Sequence, residues 1–209
     1  MASLTLTRRT VIPLLLVAAA AGAWFLRPGL PRAARPTSGT TIIAFGDSLV
    51  EGRGATGGND FVSLLSRRIR VPILNAGRSG DTTRSALERL DRDVLSRNPR
   101  IVIVLLGGND FLRRVPVQET FANLQEVVSR IRERGAAVVM VGVSVGLFSD
   151  PYAREFEDLA RRAAAGLVPD ILDGIIGHNE LMSDAIHPND RGYLLMAERL
   201  APVLKELLE

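Results

Sequence analysis

The chain contains no cysteine. That excludes disulfides, a thiolate nucleophile and a cysteine-ligated zinc site. Because no cysteine follows the apolar leader described below, it also excludes a lipid-modified N-terminus. Histidine is scarce, with His178 and His187 the only two. Acid is missing from one end altogether: no Asp or Glu precedes Thr40, whereas Arg8, Arg9, Arg27, Arg32 and Arg35 do. From residue 40 onward 21 basic residues face 23 acidic ones, so the formal net charge of +3 belongs to the N-terminal segment. A basic nucleic-acid-binding domain is therefore not expected, since phosphate binding needs a clustered basic face on the folded part. What is plentiful is apolar surface. At 209 residues and 46% hydrophobic content, one domain can bury a sizeable core without covalent staples.

The N-terminal asymmetry has its own reading. Arg8-Arg9 precede an apolar run from Val11 to Leu26, with a small-residue "AGA" ending at Ala23. Residues 1–26 thus read as an export signal, placing the protein in the periplasm or cell envelope. Sixteen apolar residues are short for a spanning helix, which takes about 20. An uncleaved membrane anchor, with Trp24-Phe25 at the interface, is the alternative. Residues 27–39, "RPGLPRAARPTSG", are rich in Pro, Gly and Arg and read as a tether, leaving residues 40–209 as the folded domain.

Within that domain, short apolar runs alternate with helical patterns. The candidate strands are residues 40–46, 71–77, 100–107, 136–143 and, more polar, 169–175 ("PDILDGI"). The near-continuous Ile/Val/Leu content of the first four suits strands buried on both faces, as in a parallel sheet. Phe61, Leu64, Leu65 and Ile69 form one helical stripe; Phe121, Leu124, Val128 and Ile131 form another; Tyr193–Leu208 closes the chain as a helix. This alternation predicts an α/β fold, a three-layer α/β/α sandwich of right-handed βαβ units. In such a sheet, ligands meet the loops beyond the carboxyl ends of the strands. Four loops there are polar or glycine-rich: "GDSLVEGRG", "NAGRSGDTT", "LGGNDFL" and "SDAIHPND".

Those loops hold the parts of an acyl-transfer site. Ser48 directly follows the first strand, and its bland role would be a helix cap. A serine needs a general base to become a nucleophile, and imidazole is the suitable one. His178 lacks an acid placed before it to orient the ring. His187 has Asp184 three positions earlier, a spacing that lets the carboxylate accept Nδ1–H while Nε2 points outward. Pro188 keeps His187 out of helical geometry, in a loop whose Asn189 or Asp190 can cap the last helix. The backbone N–H of Gly80 and the side-chain amide of Asn109 are candidate oxyanion donors. Each loop alone is ordinary turn sequence; together they supply different parts of one reaction.

Taken in order, "GDSL", Gly80 in "SGDT", "GGND" and "DAIHP" resemble the blocks of the SGNH (GDSL) hydrolase family, in particular its bacterial acyl-CoA thioesterase I / lysophospholipase / arylesterase branch. The resemblance runs from about Thr40 to Leu208. It implies a flavodoxin-like sheet of five parallel strands, Ser48 as nucleophile, His187 as base and Asp184 as its partner. The implied oxyanion hole comprises the Ser48 and Gly80 N–H groups and the Asn109 side chain. No metal or other cofactor is implied; the partner is a small acyl ester or thioester. The sequence departs from the branch after "GDSLVEG", in "VSVGLFSDPYAREF" and in "VPDILDGIIG", which leaves substrate preference open. Two rival readings stand beside it. Asp47, Asp81, Asp110 and Asp184 at strand exits could hold Mg²⁺ for phosphoryl transfer, although no phosphate-cradling "GxxxxGK[ST]" loop is present. An exported binding module on the same fold is the other.

Overall fold

The computed structural model describes residues 29–144 and 151–209. The apolar leader and residues 145–150 of the divergent segment after the fourth strand lie outside the described residues. Among those described, five strands form one all-parallel sheet in the order β2-β1-β3-β4-β5: β1 (Thr41–Gly46), β2 (Ile73–Gly77), β3 (Pro99–Leu105), β4 (Ala137–Val141) and β5 (Gly166–Val168). The helices are α1 (Ser48–Glu51), α2 (Phe61–Ile69), α3 (Thr83–Asp93), α4 (Gly108–Leu112), α5 (Val117–Glu133), α6 (Pro151–Arg162) and α7 (Asp190–Leu208). The order is the flavodoxin-like one, and the expectation of a three-layer α/β/α sandwich holds.

The two-residue period of each strand divides the core between two faces. Ile42, Ala44, Ile101, Ile103, Leu105, Val139 and Val141 pack with Phe61 and Leu65 of α2 and with Met196, Leu200 and Leu204 of α7. Ile43, Phe45, Val102, Val104, Val138 and Met140 face the other way, against Leu90 of α3, Leu124 and Val128 of α5, and Phe156 of α6. Both faces of β1, β3 and β4 are therefore dry, which is why those strands read as unbroken apolar runs. Each fully buried Leu or Ile is worth about 1.5–3 kcal/mol.

One expected element is corrected. The last strand does not occupy residues 169–175; β5 ends at Val168, and a run of turns occupies 171–177. Pro169 has no N–H to give a ladder, and the Asp170 carboxylate accepts from Leu172 N at 3.0 Å, closing a local turn. Ile171, Leu172 and Ile175 are buried, but under the α7 side of the sheet at turn spacing rather than as a strand. The Pro/Gly/Arg-rich stretch from residue 29 lies along the domain. Ala34 N bonds Ala164 O, Thr37 N bonds Gly135 O and Leu167 N bonds Pro31 O, at 2.8, 2.8 and 3.2 Å. Gly135 and Ala164 precede β4 and β5, so this stretch sits at the sheet edge opposite the four polar loops. No described helix is long and apolar enough to cross a membrane.

Candidate active site

The carboxyl edge of the sheet gathers the four loops. Between β1 and α1 the turn is tight: a Cβ on Gly46 would stand 2.2 Å from the Leu105 carbonyl oxygen, so only glycine lets β1 and β3 approach there. Asp47 caps α1 by accepting from Leu49 N at 3.0 Å, and Ser48 opens the helix with its hydroxyl toward the last loop.

That last loop is closed on itself. Met182 and Pro188 pair as an isolated antiparallel bridge, and the His187 carbonyl accepts from Ser183 N (2.9 Å) and Ser183 Oγ (3.0 Å). Asp184 Oδ1 accepts the backbone N–H groups of Ile186 (2.9 Å) and His187 (2.8 Å), which locks the carboxylate beside the ring. Its Oδ2 lies 2.8 Å from His187 Nδ1, while His187 Nε2 lies 3.0 Å from Ser48 Oγ. His187 is 7% exposed, so its ring is largely shielded from water. Asp184 itself is half-exposed; the Ile186 N–H first, and the His187 ring next, hold its carboxyl down at about 2. It is therefore a carboxylate throughout the pH range in which an imidazole titrates. With an acceptor fixed on Nδ1, the neutral ring carries its proton there and presents Nε2 as the base toward Ser48.

Gly80 takes φ +81°, the left-handed region that L side chains avoid, in the loop between β2 and α3. Its carbonyl accepts Arg113 Nη2 at 2.9 Å, and neighbouring Ser79 N donates to Glu51 Oε2 at 3.0 Å, tying this loop to α4 and α1. Asn109, in the first turn of α4, directs Nδ2 to Asp81 O (3.0 Å) and Asp47 Oδ2 (3.3 Å). The same edge thus holds Ser48, Asn109 and His187 around one cleft, with Asp184 behind His187 and the Gly80 loop tied alongside through Arg113 and Glu51. His178 is not part of it; its ring is 57% exposed and faces Glu180 at 3.7 Å.

The four aspartates considered as a metal cage do other work. Asp81 meets Arg89 and Arg78, Asp110 accepts Thr83 N and Oγ1 at 2.9 and 2.6 Å, and Asp184 serves His187. Among the described residues no three acids or histidines are grouped to hold a metal ion. Asp47, only 3% exposed, is the unusual member. Burial, reinforced by Asp81 and Asp110, pushes its carboxyl up to about 7 despite hydrogen bonds from Leu49 and Asn109.

A cleft of about 410 Å³ opens on Ser48 and His187. Beyond the polar groups, Leu49, Phe111, Leu112, Leu172, Ile176 and Ile186 line it. Phe111, Leu112, Ile176 and Ile186 are also four of the five exposed large hydrophobic residues among those described, so the mouth is apolar. The sequence reading missed these walls, since in one dimension they look like ordinary turn and helix residues. It also missed the supports under the long loop after α1. Asp190 accepts Thr56 N (2.7 Å), Thr56 Oγ1 (2.6 Å) and Asn59 Nδ2 (3.0 Å), and Tyr193 Oη donates to Arg53 O at 2.7 Å. Asp190 is thereby drawn off the helix end, and Asn189 caps α7 through Arg191 N and Gly192 N.

Comparison with known proteins places the chain in a family. Residues 44–195 match the model of the GDSL-like Lipase/Acylhydrolase family. Esterase TesA of Pseudomonas aeruginosa is 30% identical over 179 residues, covering 80% of this chain and 89% of that protein. Thioesterase 1/protease 1/lysophospholipase L1 of Escherichia coli K12 is 26% identical, covering 83% and 88%. The crystal structure of TesA superposes with a TM-score of 0.76 at 30% identity, over 80% of this chain and 99% of that one. The chain belongs to the GDSL-like lipase/acylhydrolase family and is a hydrolase of ester bonds.

Proposed function

We propose that the protein is a serine esterase that cleaves carboxylic esters or thioesters through an acyl-enzyme on Ser48, without a metal. The observation that supports this reading most is the hydrogen-bonded line from Ser48 Oγ through His187 to Asp184, at 3.0 and 2.8 Å, joining residues 139 positions apart. Ser48 Oγ attacks the acyl carbon while His187 Nε2 accepts its proton. The imidazolium, steadied by the Asp184 carboxylate, then gives that proton to the departing alcohol or thiol. Water, deprotonated by the same nitrogen, releases the acid and restores Ser48. The Ser48 and Gly80 N–H groups and the Asn109 amide receive the oxyanion, whose charge exists only along the reaction path. The 3.3 Å contact of Asn109 with Asp47 is the longer of its two and the one an oxyanion exchanges for.

The apolar mouth favours an acyl chain or aryl group on the substrate. Export through residues 1–26 would set the enzyme to work outside the cytosol, on esters met in the cell envelope. The test is a panel of p-nitrophenyl esters, acyl-CoAs, lysophospholipids and acetylated sugars, assayed in EDTA with Ser48→Ala as blank. Turnover of at least one ester class by the wild type, absent from a folded Ser48→Ala, is expected. Turnover that survives Ser48→Ala, or stops in EDTA, would remove the proposal.

A further inference from the structure

The guanidinium of Arg89 takes no part in the chemistry proposed above, yet it touches two of the loops that carry it. Arg89 lies on the core-facing stripe of α3 and is 5% exposed, beside an Asp81 that is 2% exposed. A buried cation is costly unless its donors are matched, and here they are. Nε donates to Asp81 Oδ2 at 2.5 Å, Nη2 to the Gly46 carbonyl at 2.9 Å, and Nη1 to Asp93 Oδ2 at 3.0 Å. The guanidinium carbon stands 4.4 Å over the Phe45 ring. Gly46 ends β1, two positions before Ser48, and Asp81 directly follows Gly80. The Asp81 main-chain carbonyl also accepts the Asn109 amide.

We propose that Arg89 is a positioning residue for acyl transfer. Its fork spans the gap between the loop of Ser48 and the loop of Gly80 and, through Asp81, seats Asn109, so that three donors converge on one oxygen. This rests on the reading of Ser48 as nucleophile. A guanidinium is required because two acceptors on different loops must be met at fixed angles, whereas an ammonium acts as a point charge. An ion pair serving stability alone would be complete with Asp81 and Asp93. The bond to the Gly46 carbonyl, 43 positions away in the chain, ties the pair to the nucleophile's turn.

The experiment compares Arg89→Gln, Arg89→Lys and Arg89→Ala with Leu90→Ala, each well below its own Tm. Leu90 is the next residue, fully buried in the core and bonded to none of these loops, so it reports loss of stability alone. In both Arg89→Gln and Arg89→Lys, kcat is expected to fall about 10- to 100-fold with KM within about twofold of wild type, the split expected of misplaced transition-state donors. The rate of Ser48 labelling by a phosphonate falls in parallel, and millimolar methylguanidinium restores part of the kcat of Arg89→Ala. Leu90→Ala lowers Tm but keeps kcat. Should Arg89→Gln fail to fold, Arg89→Lys carries the same test. Wild-type kcat in a folded Arg89 variant, or an equal fall in Leu90→Ala, would overturn the proposal. If Ser48→Ala retained turnover, the reading of the nucleophile would fail instead.

Discussion

Asp47 makes a quantity that can be worked out before it is measured. Its carboxyl is buried among Asp81, Asp110 and Tyr193 and rises from 3.8 to about 7. In the unfolded chain the same group ionises near 3.8, so between pH 4 and 7 the native state binds the extra proton. Stability from this group is therefore fully present below pH 3.8 and is lost as pH rises through about 7. A rise of that size corresponds to about 4 kcal/mol. Asp47→Asn removes the titration while keeping shape and an acceptor for Leu49 N. The measurement is urea unfolding of wild type and Asp47→Asn at pH 4, 5.5, 7 and 8.5. Any constant offset between them reads the altered contact with Asn109. The pH-dependent part reads the carboxylate, and Asp47→Asn should gain up to about 4 kcal/mol relative to wild type between pH 4 and 8.5. A difference that stays flat with pH would refute the claim that Asp47 is held as an acid by burial.

Two further outcomes concern the chemistry directly. Asn109→Ala should lower kcat by about 10²–10³ with little change in KM, because the oxyanion that its amide would receive exists only along the reaction path; steady-state kinetics on a p-nitrophenyl ester decides it, and a change in KM alone would contradict its assignment. Asp184→Asn should lower kcat by about 10⁴, since an amide favours the wrong imidazole tautomer. Because Asp184 is ionised down to about pH 2, the acid limb of kcat/KM in wild type should contain no Asp184 step above pH 3; a pH–rate profile with such a step would count against it.

The parts of the site that the sequence makes legible share a physical feature. Ser48 and Asn109 each follow an unbroken apolar strand by a few residues, so the end of the strand marks the start of the loop, and Gly80 stands just after the shorter edge strand β2. Asp184 and His187 are legible because their partnership is local: the carboxylate reaches both the His187 ring and its own turn's N–H groups. Non-local partnerships leave no such mark. Arg89 meets the Gly46 carbonyl only after β1 and α3 have packed, although an arginine in step with Ala86 and Leu90 on a buried stripe is a signal that could have been noticed. The end of the sheet is hard to place from the sequence for a related reason. Ile171, Leu172 and Ile175 carry enough apolar surface for a strand, but that surface is buried by turns that Asp170 closes. The cleft walls come from α4, the 171–177 turns and the histidine loop, and no periodicity links segments so far apart in the chain.

The central claim is that Ser48 becomes covalently acylated with His187 as its base. Incubation with a p-nitrophenyl alkylphosphonate followed by intact-mass and peptide mass spectrometry tests it most directly. The account predicts one phosphonyl group per chain, on the peptide containing Ser48, with loss of esterase activity in step with labelling. It also predicts no label in Ser48→Ala and much slower labelling in His187→Ala. Stoichiometric label on another residue, or full inactivation without any label on Ser48, would contradict it.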